Sequence, residues 1–70
     1  MNNSARYFID CSKMSNSDYE KVKSSLMKVY DFCDVYLERP HCLILTLCSM
    51  DPPLDKVFTP PTGCIIHRLS

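Results

Sequence analysis

One amphipathic stretch, from Ser15 to Cys33, constrains the fold of this chain more than any other feature. Charged and polar side chains line one side of this stretch, and apolar side chains line the other. The apolar residues recur at the 3.6-residue period of a helix that is buried on one face, at Val22, Leu26, Val29 and Cys33. The sequence therefore predicts one long helix, with the short apolar runs elsewhere in the chain packed on its apolar face.

Two serines near the start of this helix are candidates for its N-cap. Ser17 with Glu20 fits a capping box, in which the two side chains satisfy backbone donors of the first turn. Ser15 with Asp18 is the alternative cap. The helix end is less clearly marked because no glycine follows it, and we expect fraying around Cys33.

Four short runs with β-strand character flank the helix. The first, Arg6–Ser12, alternates apolar and mixed residues at the period of two that is typical of a strand. After the helix come Val35–Glu38 and Cys42–Cys48, which we expect to form a hairpin because Pro40 suits a tight turn. Cys42–Cys48 is apolar on both faces, which favours a central strand or a strand whose outer face meets a partner. The last run is Cys64–His67.

Residues 50–62 contain four of the five prolines and are predicted to form a long loop. Neither Pro-Pro pair can join a central ladder, because proline has no backbone donor. Leu54, Val57 and Phe58 are expected to hold the loop against the body of the domain. Loops of this length are often functional, and two interpretations stay open: a docking motif, or the favoured structural crossover. The N-terminal residues 1–5 are expected to be mobile.

The predicted fold class is α+β, in a single small domain spanning residues 1–70. One amphipathic helix packs on a sheet of three or four strands, mixed or antiparallel, in the order β-α-β-β-β. The helix between two strands of one sheet predicts a right-handed crossover. The sheet face turned away from the helix has no predicted cover, and monomers seldom leave a large apolar patch exposed. The predicted partner-binding residues are Phe8, Tyr36, Ile44, Cys48 and Ile65, with Leu54 and Phe58 from the loop.

Composition and charge limit the classes of partner. Lys plus Arg equals Asp plus Glu at eight each, so no net charge draws the chain to nucleic acid or to a membrane. The longest uninterrupted apolar run, Cys42–Leu45, is too short to span a bilayer. Residues 1–12 lack the order of a signal peptide. We therefore expect a cytoplasmic or nuclear protein that is not secreted and has no membrane partner.

The five cysteines are an odd number and are scattered along the chain, which indicates small buried hydrophobes rather than a disulfide framework. A zinc site is the alternative, because the second half of the chain is rich in ligands. Cys64 and His67, however, would point to opposite faces of a strand. We therefore predict no metal and no cofactor. The candidate ligands are Cys33, His41, Cys42, Cys48, Cys64 and His67.

A nucleophilic cysteine is the second site considered. Cys42 beside His41, or Cys64 with His67, supplies the residue types for such chemistry. Neighbouring side chains on a strand diverge, and the chain has little room for a substrate cleft. The sequence therefore predicts that the protein is not an enzyme.

Nucleic-acid binding is the third possibility, because five basic residues lie in the first 33 positions. Acidic residues are interleaved with them, and no nucleic-acid-binding signature accompanies them, so this function is disfavoured. The basic residues are Arg6, Lys13, Lys21, Lys23 and Lys28.

The leading functional prediction is a non-enzymatic protein–protein interaction module. Short chains without catalytic chemistry are often regulators or inhibitors, among them phage- and virus-encoded proteins that act on a host protein. Binding would use the uncovered sheet face, an exposed strand edge or the Pro-rich loop, and the partner could be a second copy in a homodimer. The alternatives are a small nucleic-acid-binding protein and a zinc-stabilised adaptor.

Overall fold

The computed structural model describes residues 5–70, and it is a small α+β domain with one main helix and a four-stranded sheet. This confirms the predicted fold class. The predicted mobile N-terminus lies outside the described residues except for Ala5, which begins the first strand. None of the helices within residues 5–70 is long and apolar enough to cross a membrane. The elements are β1 (Ala5–Asp10), α1 (Asn16–Val29), β2 (Cys33–Val35), β3 (Cys42–Leu47), α2 (Leu54–Val57) and β4 (Ile65–Arg68).

The sheet has the strand order β2-β3-β1-β4, and every hydrogen-bonded pair of neighbours is antiparallel. β3 lies between β1 and β2, which run parallel to each other without being neighbours. β3 is therefore a central strand, which is one of the two possibilities that its two apolar faces left open. β2 and β4 are the two edge strands, and each is shorter than the strand with which it pairs.

The start of α1 is fixed by the alternative cap and not by the capping box. The Ser15 side chain accepts a hydrogen bond from the Asp18 backbone N–H at 3.2 Å. Asp18 also lies in the first turn, where the helix dipole favours an acidic side chain. Ser17 lies inside the helix.

The end of α1 differs from the prediction, because the helix stops at Val29 and not at Cys33. Tyr30 is extended, with φ −114° and ψ 133°, and its N–H closes the last turn on the Leu26 carbonyl. Cys33 is buried, as its place in the apolar pattern suggested, but it belongs to β2 and pairs with Leu45. The expected fraying at Cys33 is therefore wrong, because pairing with β3 holds this residue in a ladder.

β2 also lies two residues earlier than predicted, at Cys33–Val35 instead of Val35–Glu38. The Tyr36 N–H donates to the Cys42 carbonyl at 2.9 Å, and the chain then leaves the ladder. Residues 37–41 form the connection to β3, so a hairpin does join these strands as expected. His41 ends this connection with φ 57°, a left-handed conformation that few residues other than glycine adopt.

The core lies between α1 and one face of the sheet, here called the inner face. Its largest fully buried side chains are Ile9, Leu26, Leu43 and Leu45. Tyr19 and Val22 of α1 belong to the same buried cluster. The leucines at alternate positions of β3 therefore point toward the helix.

Residues 50–62 lie on the helix side of the sheet and complete the cover of the inner face. Leu54 is buried in the core, and Phe58 packs against it. The Tyr30 hydroxyl donates to the Pro52 carbonyl at 2.9 Å. The segment also contains the one-turn helix α2, which the sequence did not predict, directly after Pro53. The inner face is thus covered by both α1 and residues 50–62, here called the Pro-rich segment.

Candidate functional site

The candidate site is the sheet face turned away from α1, here called the outer face. Strand register defines it, because residues directly opposite each other in neighbouring strands share a face. Phe8 of β1 pairs with Ile44 of β3 on one side and with His67 of β4 on the other. The same register places the following residues on this face: Arg6, Asp10, Asp34, Thr46 and Ile65.

A row of aromatic rings crosses the outer face. The Phe8 and Tyr36 rings meet edge to face, with centroids 5.2 Å apart and planes at 89°. On the other side of Phe8, the His67 ring lies 6.2 Å away in a tilted arrangement. Edge-to-face packing is one of the geometries that aromatic pairs prefer, so the contact between Phe8 and Tyr36 is favourable, and His67 extends the row on the other side of Phe8.

A charged pair borders this row and orders its edge. The Arg39 guanidinium lies 5.7 Å from the centroid of the Phe8 ring and 3.5 Å from an Asp10 carboxylate oxygen. Ser12 donates two hydrogen bonds to the same carboxylate, one from its hydroxyl and one from its backbone N–H. Mainly because of these two bonds, the pKa of Asp10 lies below its ordinary value of 3.8, and Arg39 lowers it further. Asp10 is therefore an anion at neutral pH, and Arg39 lies beside it above the Phe8 ring.

Two apolar side chains extend the outer face toward solvent. Phe32, whose carbonyl accepts the Thr46 N–H at 2.8 Å, is 54% exposed at the β2 edge. Ile65 is 44% exposed on β4, at the opposite edge. The outer face thus has an ordered aromatic centre and accessible apolar residues at both edges.

The predicted partner-binding residues divide into two groups that lie on opposite sides of the sheet. Phe8, Tyr36, Ile44 and Ile65 are brought together on the outer face. Cys48 is exposed just after β3, where its backbone N–H donates to the Asp51 carboxylate. Leu54 and Phe58 lie on the helix side. Leu54 in particular is a core residue and does not present a surface.

Sequence reasoning did not identify three residues of this site: Phe32, Arg39 and His67. The alternation of β4 carried a signal for His67, because Ile65 and His67 are two residues apart in one strand. Arg39 comes from the β2–β3 connection, and only the folded path of that connection brings it over Phe8. Phe32 falls within the stretch predicted as helix, Ser15 to Cys33, but the helix in fact ends before it.

The candidate metal ligands are dispersed over both faces. Cys33 lies on the inner face opposite Leu45, whereas Cys42 lies opposite Asp10 on the outer face. Cys64 precedes β4 and contacts Cys11, while His67 lies beside Phe8. Within residues 5–70, no group of three or more His, Cys, Asp and Glu side chains could hold a metal ion.

The candidate nucleophiles lie in environments that disfavour the reactive thiolate. Burial raises the pKa of Cys42 and of Cys64. The His41 ring stacks on Tyr19 at 4.6 Å, and its Nδ1 lies 3.2 Å from the Met14 carbonyl oxygen. His41 therefore contacts the start of α1, so its ring orders the fold there.

The helix side carries a shallow groove of about 520 Å³ between α1 and residues 57–62. Met14 and Val22 form one wall, and Phe58 and Pro61 form the other. Pro61, the second residue of the Pro-Pro pair at positions 60–61, thus contributes to a wall of this groove.

The basic residues of α1 face solvent beside acidic ones. Lys23 Nζ lies 3.2 Å from a Glu20 carboxylate oxygen and 5.4 Å from the centroid of the Tyr19 ring. Part of the positive charge predicted for this helix is therefore neutralised locally.

Comparisons with known protein families, with curated proteins and with solved structures find no match to this chain.

Proposed function

We propose that the protein is a small non-enzymatic interaction module that binds another protein through the outer face and thereby regulates or inhibits it. One observation carries this proposal: the aromatic row of Tyr36, Phe8 and His67 lies on the side that neither α1 nor the Pro-rich segment covers. Aromatic residues and Arg are enriched in protein interfaces, where they supply much of the binding energy.

The packing of side chains on the outer face also supports the proposal. Phe8 is held between two rings and under the Arg39 guanidinium, so little side-chain freedom remains to be lost on binding. Binding is less costly when the contact residues are already fixed, because ordering each side chain opposes association.

The thiol chemistry supports a role without catalysis. Burial raises the pKa of Cys11 to about 12 and also raises that of Cys33, so the protonated thiol dominates at neutral pH. A cysteine nucleophile normally has the opposite environment, with a nearby positive charge that stabilises its thiolate.

The outer face fits a partner that presents an apolar side chain with a carboxylate close to it. The apolar group would contact the aromatic row at Phe8, which is partly exposed. Arg39 is half exposed and uses one nitrogen on Asp10, so it retains donors for an incoming carboxylate.

The proposal is tested by comparing two double variants that each remove two exposed apolar side chains. Phe32→Ser with Ile65→Ser alters the outer face, where these residues are 54% and 44% exposed. Met27→Ser with Val57→Ser is the matched control on the helix side, with exposures of 43% and 45%. Wild-type and variant chains are immobilised, and the proteins that they retain from a lysate of cells that make this protein are compared by mass spectrometry.

We expect a protein that the wild type and the helix-side variant retain and that the outer-face variant loses by about tenfold or more. Equal retention by all three chains, or loss with the helix-side variant alone, would contradict the proposal. Circular dichroism of each variant confirms that the fold is kept.

The outer face can also bind a second copy of this chain. Light scattering tests for such self-association by measuring the molar mass as the protein concentration rises. A dimer of the wild type that the outer-face variant does not form would identify the partner as the chain itself. In that case the outer face is an oligomer interface.

A further inference from the structure

Cys11 and Cys64 lie next to each other just beyond the end of the β1–β4 ladder. Cys11 follows β1 and Cys64 precedes β4, and the last pair in the β1–β4 register is Asp10 with Ile65. The next pair in that register is therefore Cys11 with Cys64, and their Sγ atoms are 3.7 Å apart. Facing residues of antiparallel strands have Cα separations of about 4.5–5.5 Å, which lie within the range that a disulfide requires.

We propose that Cys64 is a thiol-modification site that reacts with low-molecular-weight disulfides such as glutathione disulfide, and that Cys11 resolves the adduct to close a Cys11–Cys64 disulfide. The two thiols differ in their exposure to solvent, and this difference suits the proposed order of the two steps. Cys64 is partly exposed and can meet a small disulfide, whereas Cys11 is fully buried and can meet only Cys64.

The reaction consists of two thiol–disulfide exchanges. Cys64 loses its proton, and its thiolate attacks one sulfur of glutathione disulfide, whose S–S bond breaks to release one glutathione. Cys11 then loses its proton and attacks Cys64 Sγ, forming the new S–S bond and releasing the second glutathione. The protein loses two protons and two electrons, and one glutathione disulfide becomes two glutathione thiols.

Burial of the two thiols is expected to slow this reaction. It raises the pKa of Cys11 to about 12, with Cys64 as the next cause, and it raises that of Cys64 as well. Both steps need a thiolate, so closure is expected to be slow at neutral pH and to accelerate as pH rises.

The disulfide would join residues 53 positions apart and would enclose α1, β2, β3 and α2 in one loop. A cross-link over so long a loop strongly restricts the unfolded chain and therefore stabilises the folded one. It would also hold edge strand β4 against β1, and β4 carries Ile65 and His67 of the outer face.

The test treats the reduced, folded chain with glutathione disulfide, alkylates the remaining thiols and maps the products by mass spectrometry. We expect the product to contain a cross-linked peptide joining Cys11 to Cys64 and to retain the buried thiols of Cys33 and Cys42. We also expect the unfolding midpoint to rise by about 5 °C or more, and dithiothreitol to reverse that rise. A folded chain that accumulates only glutathione adducts, or that cross-links other cysteines, would overturn the proposal.

Three variants assign the roles. In Cys11→Ala the glutathione adduct should persist on Cys64, and in Cys64→Ser the cross-link should be lost. Cys48→Ser is the matched control, because Cys48 is exposed and lies after β3, and its cross-link yield should equal that of the wild type. The wild-type reaction repeated in urea is the reference, since five unfolded thiols should spread over several pairings. A cross-link yield no higher in the folded chain than in urea would contradict the proposal.

Discussion

The Ser15 side chain makes a single hydrogen bond on which the start of α1 depends. Ser15→Ala removes the acceptor for the Asp18 N–H, and we expect it to lower the free energy of unfolding by about 1 kcal/mol. Urea denaturation measures this loss. Ser17→Ala is the control: this exposed serine lies inside the helix, where alanine has the higher helix propensity, so stability should not fall. Equal losses in both variants would mean that Ser15 does not act as the cap.

The Asp10 carboxylate is expected to make stability depend on acid pH. The folded state holds its pKa below 3.8, chiefly through two hydrogen bonds from Ser12. A carboxyl group with a lowered folded pKa contributes its full stabilisation above its unfolded pKa, and that contribution is lost as pH falls through the folded pKa.

The measurement compares wild type with Asp10→Asn in urea at neutral pH and at about pH 2. We expect the variant to be less stable at neutral pH and the difference to shrink in acid. Asp31→Asn, at an exposed position outside α1 and the strands, is the control for a general loss of negative charge. A difference between wild type and Asp10→Asn that is the same at both pH values would contradict the prediction.

The boundary between α1 and β2 explains why part of this fold could be predicted from sequence and part could not. Cys33 fits the apolar period of a helix that begins at Ser15, and it also fits the alternation of a strand. Both assignments bury it, so its burial was predictable and its element was not. The deciding factor is the ladder with Leu45, a contact between residues that are distant in the sequence.

The Pro-rich segment is joined to Tyr30, the residue that follows α1, by the hydrogen bond from the Tyr30 hydroxyl to the Pro52 carbonyl. Tyr30→Phe removes this bond and keeps the buried ring, so we expect a loss of about 1 kcal/mol in the free energy of unfolding. Limited proteolysis should then cut residues 50–62 faster than in the wild type. Tyr36→Phe, on the outer face, is the control, and it should leave the cleavage rate of this segment unchanged.

The outer face was predictable where alternation within one strand sufficed, as for Phe8 and Ile44. Which residues of different strands lie side by side was not predictable. His67 comes beside Phe8 only through the register of β1 with β4, and Arg39 reaches Phe8 from a connection with no periodic signal. One sequence does not specify strand order, because several orders bury the same apolar residues.

Hydrogen exchange should reveal unequal stability across the whole sheet. β1 and β3 each have two neighbouring strands, whereas β2 and β4 have one. Amide groups that are hydrogen-bonded within the sheet and buried exchange only when large parts of the structure open. We therefore expect the slowest exchange around Ile9, Leu43 and Leu45, and faster exchange in β4. The measurement is amide exchange followed by NMR, and equal rates in β1 and β4 would contradict this expectation.

The position of β3 between β1 and β2 has a consequence for how the chain folds while it is being synthesised. Of the four strands, β1 leaves the ribosome first, but its sheet neighbours are formed by residues 42–47 and 65–68. Contacts between residues far apart in sequence form slowly, because the intervening chain must first be brought together. α1 can form while translation proceeds, since its hydrogen bonds are local. The strand made earliest is therefore among the last to find its partners.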